Sequence, residues 1–103
     1  MARVVVRPKA RRDLNDILGY YIETAGTDIA RRFRNAATET FRELARSPLM
    51  GAPGKVRKSE FARIRMWRVR GFENYLVFYF PRTDGIAIER VIHAAQDYRR
   101  LLR

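Results

Sequence analysis

The chain has 103 residues and no cysteine, which makes it one domain, 1–103, and excludes disulfides, thiol nucleophiles and thiolate metal sites. A hydrophobic content of 47% supports a small core and argues against disorder, even with 32% charged residues. Lys and Arg total 22 against 11 Asp and Glu, and the net charge of +11 favours an anionic macromolecular partner.

Three of the 22 cations are lysines (Lys9, Lys55, Lys58), which leaves 22 − 3 = 19 arginines. Guanidinium forks grip phosphate and carboxylate bidentately. An Arg-rich genome explains the choice of Arg over Lys but not a balance this far from zero. His93 is the sole histidine and no carboxylate cluster accompanies it, so neither a metal nor another cofactor is expected. No apolar run is long enough to span a bilayer, and Met1 to Pro8 lacks the apolar stretch of a signal peptide; the expectation is a cytoplasmic protein with no membrane contact.

Arg3 to Arg7, with Val4-Val5-Val6, reads as a short β-branched strand that Pro8 ends. From Lys9 to about Thr24, Ala10, Leu14, Ile17, Leu18, Tyr21 and Ile22 mark one face of a helix. Gly26 ends it, and Thr27 or Asp28 is expected to cap a second helix running to Arg46. That helix has Ile29, Ala30, Phe33, Ala37, Phe41 and Leu44 on its stripe and closes at Ser47-Pro48. A connection of two or three residues makes the pair an antiparallel hairpin. A Gly/Pro-containing basic loop, Leu49 to Glu60, leads into strands at about 61–69, 75–80 and 86–94, turned at Gly71 and at Pro81 to Gly85. The expected fold is α+β: an N-terminal strand, a helical hairpin and a three-stranded antiparallel meander, joined into one sheet.

The segment Tyr75-Leu76-Val77-Phe78-Tyr79-Phe80 does not alternate, which predicts burial on both faces. The hairpin covers one face. A partner chain is expected over the other; the alternative is the chain's own tail, with Tyr98, Leu101 and Leu102 packing as a last helical turn.

Three segments resemble one family in order along the chain. Pro8-Lys9-Ala10-Arg11-Arg12-Asp13-Leu14-Asn15-Asp16-Ile17 resembles the opening helix of RelE/ParE toxins; Glu73-Asn74-Tyr75-Leu76-Val77-Phe78-Tyr79 and Arg90-Val91-Ile92-His93-Ala94-Ala95-Gln96-Asp97 resemble the ParE forms of the last strands. The resemblance implies the toxin half of a type II toxin–antitoxin system with a RelE/ParE-like fold, in a hetero-oligomer with a ParD-like antitoxin, and DNA gyrase as the target. The other branch implies a RelE-type nuclease that cuts mRNA on the ribosome.

Cutting RNA through its 2′-hydroxyl requires a base, cations for the phosphate and an acid for the leaving oxygen. Arg65, Arg90, His93 and Tyr98 are the residues that would serve. Against this, Tyr75 stands where RelE nucleases carry an arginine, and Ala94-Ala95-Gln96-Asp97 follows the histidine in place of a basic or His-Tyr tail, so no catalytic residue is expected. An acidic antitoxin helix is expected over Leu14, Ile17, Leu18, Tyr21 and Phe33. Target and nucleic-acid contacts are expected from Lys55, Arg57, Lys58, Arg63 and Arg65, because residues 47–103 carry 12 − 5 = +7 against 10 − 6 = +4 for 1–46.

Overall fold

The computed structural model describes residues 2–56 and 58–102. Strand β1 (Arg3–Val6) passes directly into helix α1 (Pro8–Ala25), with Pro8 supplying a first helical position whose N–H needs no partner. Helix α2 (Thr27–Arg46) follows after a single residue. Gly26 makes this reversal at φ 95, where glycine carries no steric penalty, and its N–H bonds back to the Tyr21 carbonyl at 2.9 Å. The expected side-chain cap is not made: Gly26 holds the N-cap position, Thr27 is already helical, and Asp28 sits in the first turn, where its charge favours the helix dipole. Ser47 leaves the helix at φ −137 ahead of Pro48.

The remaining strands are β2 (Ala52–Pro53), β3 (Arg65–Val69), β4 (Phe72–Arg82) and β5 (Gly85–His93), with a 3-10 turn at Ser59–Phe61 and a short helix α3 (Tyr98–Leu101). The meander is as expected, although β3 begins four residues later than the sequence pattern placed it. Two features of the sheet differ from the expectation. It has five strands in the order β1-β5-β4-β3-β2, because the basic loop contributes β2, and it is mixed, because β1 lies parallel to β5. The parallel pairing follows from a chain that leaves β1, crosses one face through the hairpin and returns through the meander. Gly85 allows it: a Cβ there would run into the Arg3 backbone. Pro81 lies beyond the last β3 partner, so its missing N–H costs no ladder bond on that side.

Helix α2 packs Phe33, Ala37, Phe41, Leu44 and Ala45 against Val69, Tyr75, Val77, Tyr79, Ile86, Ile88 and Val91. Helix α1 is more exposed; Ala10 is its one fully buried residue, and Ile22, which the stripe placed inward, is 52% exposed. The non-alternating strand is buried on both sides. The covering of its second side corrects the expectation of a partner: Phe78 and Ile92 pack there with Ile64 and Leu102, flanked by Val56, Phe61 and Tyr98. The chain's own Val56, Phe61 and Ile64 and its tail supply the apolar contacts, while Leu101 remains exposed. No helix among the described residues is long and apolar enough to cross a membrane.

Candidate functional site: an apolar groove and two sets of arginines

Between β1 and the hairpin runs a groove of about 360 Å³. Val4 and Val6 form one wall, Leu14 and Leu18 of α1 another, and Phe33, Ala37 and Phe41 of α2 the floor. The helical spacing explains the wall: residues four apart on α1 stand one above the other. Arg11, Arg34 and Arg42 border it; Arg42 pairs with Glu39 at 2.9 Å, whereas Arg11 and Arg34 form no ion pair among the described residues. The groove is apolar inside and cationic at the rim, next to an edge strand that has one side unpaired in the sheet.

Of the five residues expected to meet an antitoxin, Leu14, Leu18 and Phe33 line this groove. Ile17 and Tyr21 do not line it and pack against the core. Tyr21 joins an aromatic cluster with Phe33, Phe72 and Tyr75 at centroid separations of 5.7, 5.8 and 6.1 Å. Burial, then the hydrogen bond with Tyr21, pushes the Tyr75 hydroxyl up to about 12. Sequence reasoning missed Val4, Val6, Ala37 and Phe41 as groove residues, because only the position of β1 at the sheet edge brings them together.

The four residues that a nuclease would use are not assembled. His93 and Tyr98 lie on opposite faces of the sheet: the imidazole meets Tyr75 edge-on at 5.0 Å on the hairpin side, and Tyr98 meets Phe78 at 5.2 Å on the other. His93 Nδ1 accepts from the Ala95 N–H at 3.0 Å, and its backbone N–H donates to Gln96 Oε1 at 3.1 Å, so the side chain closes the turn after β5. Arg90 is committed to Asp13: its Nε and Nη2 donate to the two carboxylate oxygens at 2.7 and 2.9 Å, and its Nη1 donates to the Leu101 carbonyl at 3.3 Å. This fork raises the Arg90 pKa further above its ordinary value. Asp13 also accepts the Val91 N–H at 2.9 Å, which takes over the β5 edge where β1 has ended.

Arg65 donates to the carbonyls of Gly51 and Leu49. Tyr79 works beside it, accepting the Gly51 N–H at 2.9 Å and donating to the Pro48 carbonyl at 2.8 Å. A Cβ on Gly51 would meet the Tyr79 hydroxyl at 2.5 Å, so glycine is required for this close approach. Both long side chains therefore hold the chain where α2 passes into β2.

Among the cations expected to meet a target, Lys55 and Lys58 line an open cleft on the far side of the sheet, facing Arg99 and Arg100 of the tail. Arg63 lies elsewhere, beside Leu49, Pro53 and Pro81. Arg57 falls outside the described residues. No group of three or more His, Cys, Asp or Glu among the described residues could hold a metal ion.

A basic α+β domain with a rimmed apolar groove over a helical hairpin has a surface of the kind that receives an amphipathic segment of another chain. The family is given by the sequence itself: residues 4–98 match the model for the ParE toxin of the type II toxin–antitoxin system parDE, and the chain belongs to that family. Among solved structures, a chain described as "Chromosomal ParDE TA system from P. aeruginosa" superposes with a TM-score of 0.73 at 20% identity, covering 90% of this chain and 96% of that one. At that identity the match shows a common fold. No curated protein matches the sequence.

Proposed function

We propose that this ParE-type toxin acts by binding rather than by cutting, that it inhibits DNA gyrase, and that a cognate ParD-like antitoxin silences it by lying in the groove between β1 and the hairpin. The groove carries the antitoxin reading. Leu14, Leu18, Val4 and Val6 offer sockets for the apolar face of an amphipathic helix, and Arg11 and Arg34 stand ready for its carboxylates. Gyrase as the target rests on likeness to ParE toxins. Binding over cutting is supported by Arg90 and Arg65, both engaged in structural hydrogen bonds, and by the separation of His93 from Tyr98 across the sheet.

The test combines toxicity and neutralisation. Added to purified gyrase, the chain should block supercoiling and accumulate cleaved DNA, and its induction should cause filamentation and a DNA-damage response. Leu18→Glu should keep toxicity while escaping the co-expressed antitoxin, because a carboxylate in an apolar socket repels an acidic partner. Normal supercoiling together with mRNA cut on ribosomes would instead establish the RelE-type activity.

A further inference from the structure

On the sheet face opposite the hairpin, Lys55, Val56 and Lys58 border an open cleft of about 590 Å³ together with the tail. Lys55 and Lys58 line one side and Arg99 and Arg100 the other, over an apolar floor of Val56 and Leu102. We infer that this cleft is a binding site for the phosphodiester backbone of a nucleic acid, read without regard to base sequence.

The charges are the first argument. Four cations face one carboxylate, Asp97, and Asp97 Oδ1 is turned toward the Arg100 backbone N–H at 3.4 Å as the cap of α3. Lys58 has a counterion in Glu60 at 2.6 Å; Lys55, Arg99 and Arg100 form no ion pair among the described residues. Cations brought together over apolar walls repel one another and concentrate the positive potential, and an anion relieves both effects. Backbone conformation is the second argument. Lys55 is held at φ 55, a region that a non-glycine residue occupies at a cost, and such strain is found preferentially where a side chain is positioned for use. Third, Arg99 lies over the Tyr98 ring at 5.8 Å, a contact that restrains one of the two guanidiniums lining the cleft.

A phosphodiester fits better than an acidic peptide. The acidic partner proposed above has its own apolar groove on the hairpin side, whereas this cleft joins lysines and arginines to a small apolar floor, the combination that tracks a repeating phosphate. Both surfaces can be occupied at once, because the sheet separates them. The inference deepens the target reading of Lys55 and Lys58 by adding Arg99 and Arg100 and naming the ligand, and it needs no gyrase to be tested.

The experiment measures fluorescence anisotropy of a short labelled DNA duplex and a single strand of the same length, titrated with the full chain over a range of salt concentrations. The wild type should bind with a steep salt dependence. Lys55→Asn with Arg99→Gln and Arg100→Gln should weaken binding about tenfold or more and flatten the log–log salt slope by about one per cation removed. Asparagine at 55 tolerates the left-handed backbone. A second variant, Lys55→Asn with Lys58→Gln, leaves the tail intact and should lose part of the affinity. The control is Arg12→Gln with Arg32→Gln and Arg46→Gln, three exposed hairpin arginines whose removal lowers net charge equally and should change binding little. Equal loss in the control and cleft variants would overturn the site, since the attraction would then come from overall charge. Unchanged binding in the cleft variants would overturn it too, as would polyglutamate displacing DNA at equal charge concentration. Binding at the cleft with gyrase supercoiling unaffected would sink the gyrase reading and leave this site standing.

Discussion

The two faces of the sheet are covered by different means. On one, two helices of 18 and 20 residues lay a continuous apolar stripe across β3, β4 and β5. On the other, an irregular 58–64 segment and a four-residue helix cover Phe78 and Ile92, anchored by Ile64 and Leu102. The first face owes its stability to many contacts along regular elements. The second depends on a few anchors and on Arg90, whose guanidinium ties the tail carbonyl of Leu101 to Asp13 of the opposite layer. Regular cover leaves a smooth groove along its margin, and irregular cover leaves a cleft edged with loop and tail cations.

Substitutions can break this contrast or sharpen it. Phe33→Ala, at the centre of the hairpin face, should destabilise the whole domain by about 3–5 kcal/mol in urea denaturation, with every probe reporting one transition. Asp13→Ala should cost about 3 kcal/mol, because it leaves the Arg90 guanidinium and the Val91 N–H without their acceptor in a site where both side chains are about 15% exposed. Asp13→Asn should cost less, since an amide oxygen still accepts from Val91. Leu102→Ala should cost about 2 kcal/mol, near the lower end for a buried leucine, because a short terminal helix can relax around the gap. If the far face opens on its own, hydrogen exchange in this variant should quicken at the amides of Ile64 and position 102 before the hairpin amides change. A uniform increase would show the two faces to be a single cooperative unit.

Smaller effects come from pH and from the surface. Tyr75 is held neutral by burial, its pKa raised from 10.0 to about 12, so the folded chain keeps a proton that the unfolded chain releases. The associated stability is complete below pH 10 and declines as pH rises toward 12, by about 1.4 kcal/mol per unit. Denaturation at pH 9 and pH 11 should reveal the loss. Tyr75→Phe should reduce it only in part, because burial raises Tyr79 as well. Arg90 adds no slope over that interval, because its hydrogen bonds to Asp13 raise its pKa further above the ordinary guanidinium range. Glu39→Gln, which removes the exposed partner of Arg42, should shift stability by less than about 0.5 kcal/mol.

Much of the fold could be read from local signals. Helix stripes, Gly26, Ser47-Pro48 and the alternation of strands with turns placed both helices and the meander, and the apolar run at 75–80 correctly foretold burial on two sides. The run did not say what would cover the second side, since an apolar strand records that it is buried and not by whom. Long-range pairing was also hidden. Asp13 and Arg90 are 77 residues apart, and nothing near either one distinguishes a clamped arginine from a solvated one. The same holds for Arg65, which resembles any surface cation until the Gly51 carbonyl is seen beside it. In the groove, Leu14 and Leu18 were legible from their helical spacing, whereas Val4 and Val6 depended on the placement of β1 at the sheet edge.

The pairing of β1 with β5 bears on how the molecule is made. Strand β1 takes as its sheet partner a strand about eighty residues further along the chain, so this edge of the sheet cannot close while residues 85–88 are still in the exit tunnel. Until then Val4 and Val6 have no neighbouring backbone to bond, and the groove that they wall does not exist. A nascent chain is therefore unable to present its finished surface early, and recognition of that surface begins only after residues 85–88 have emerged.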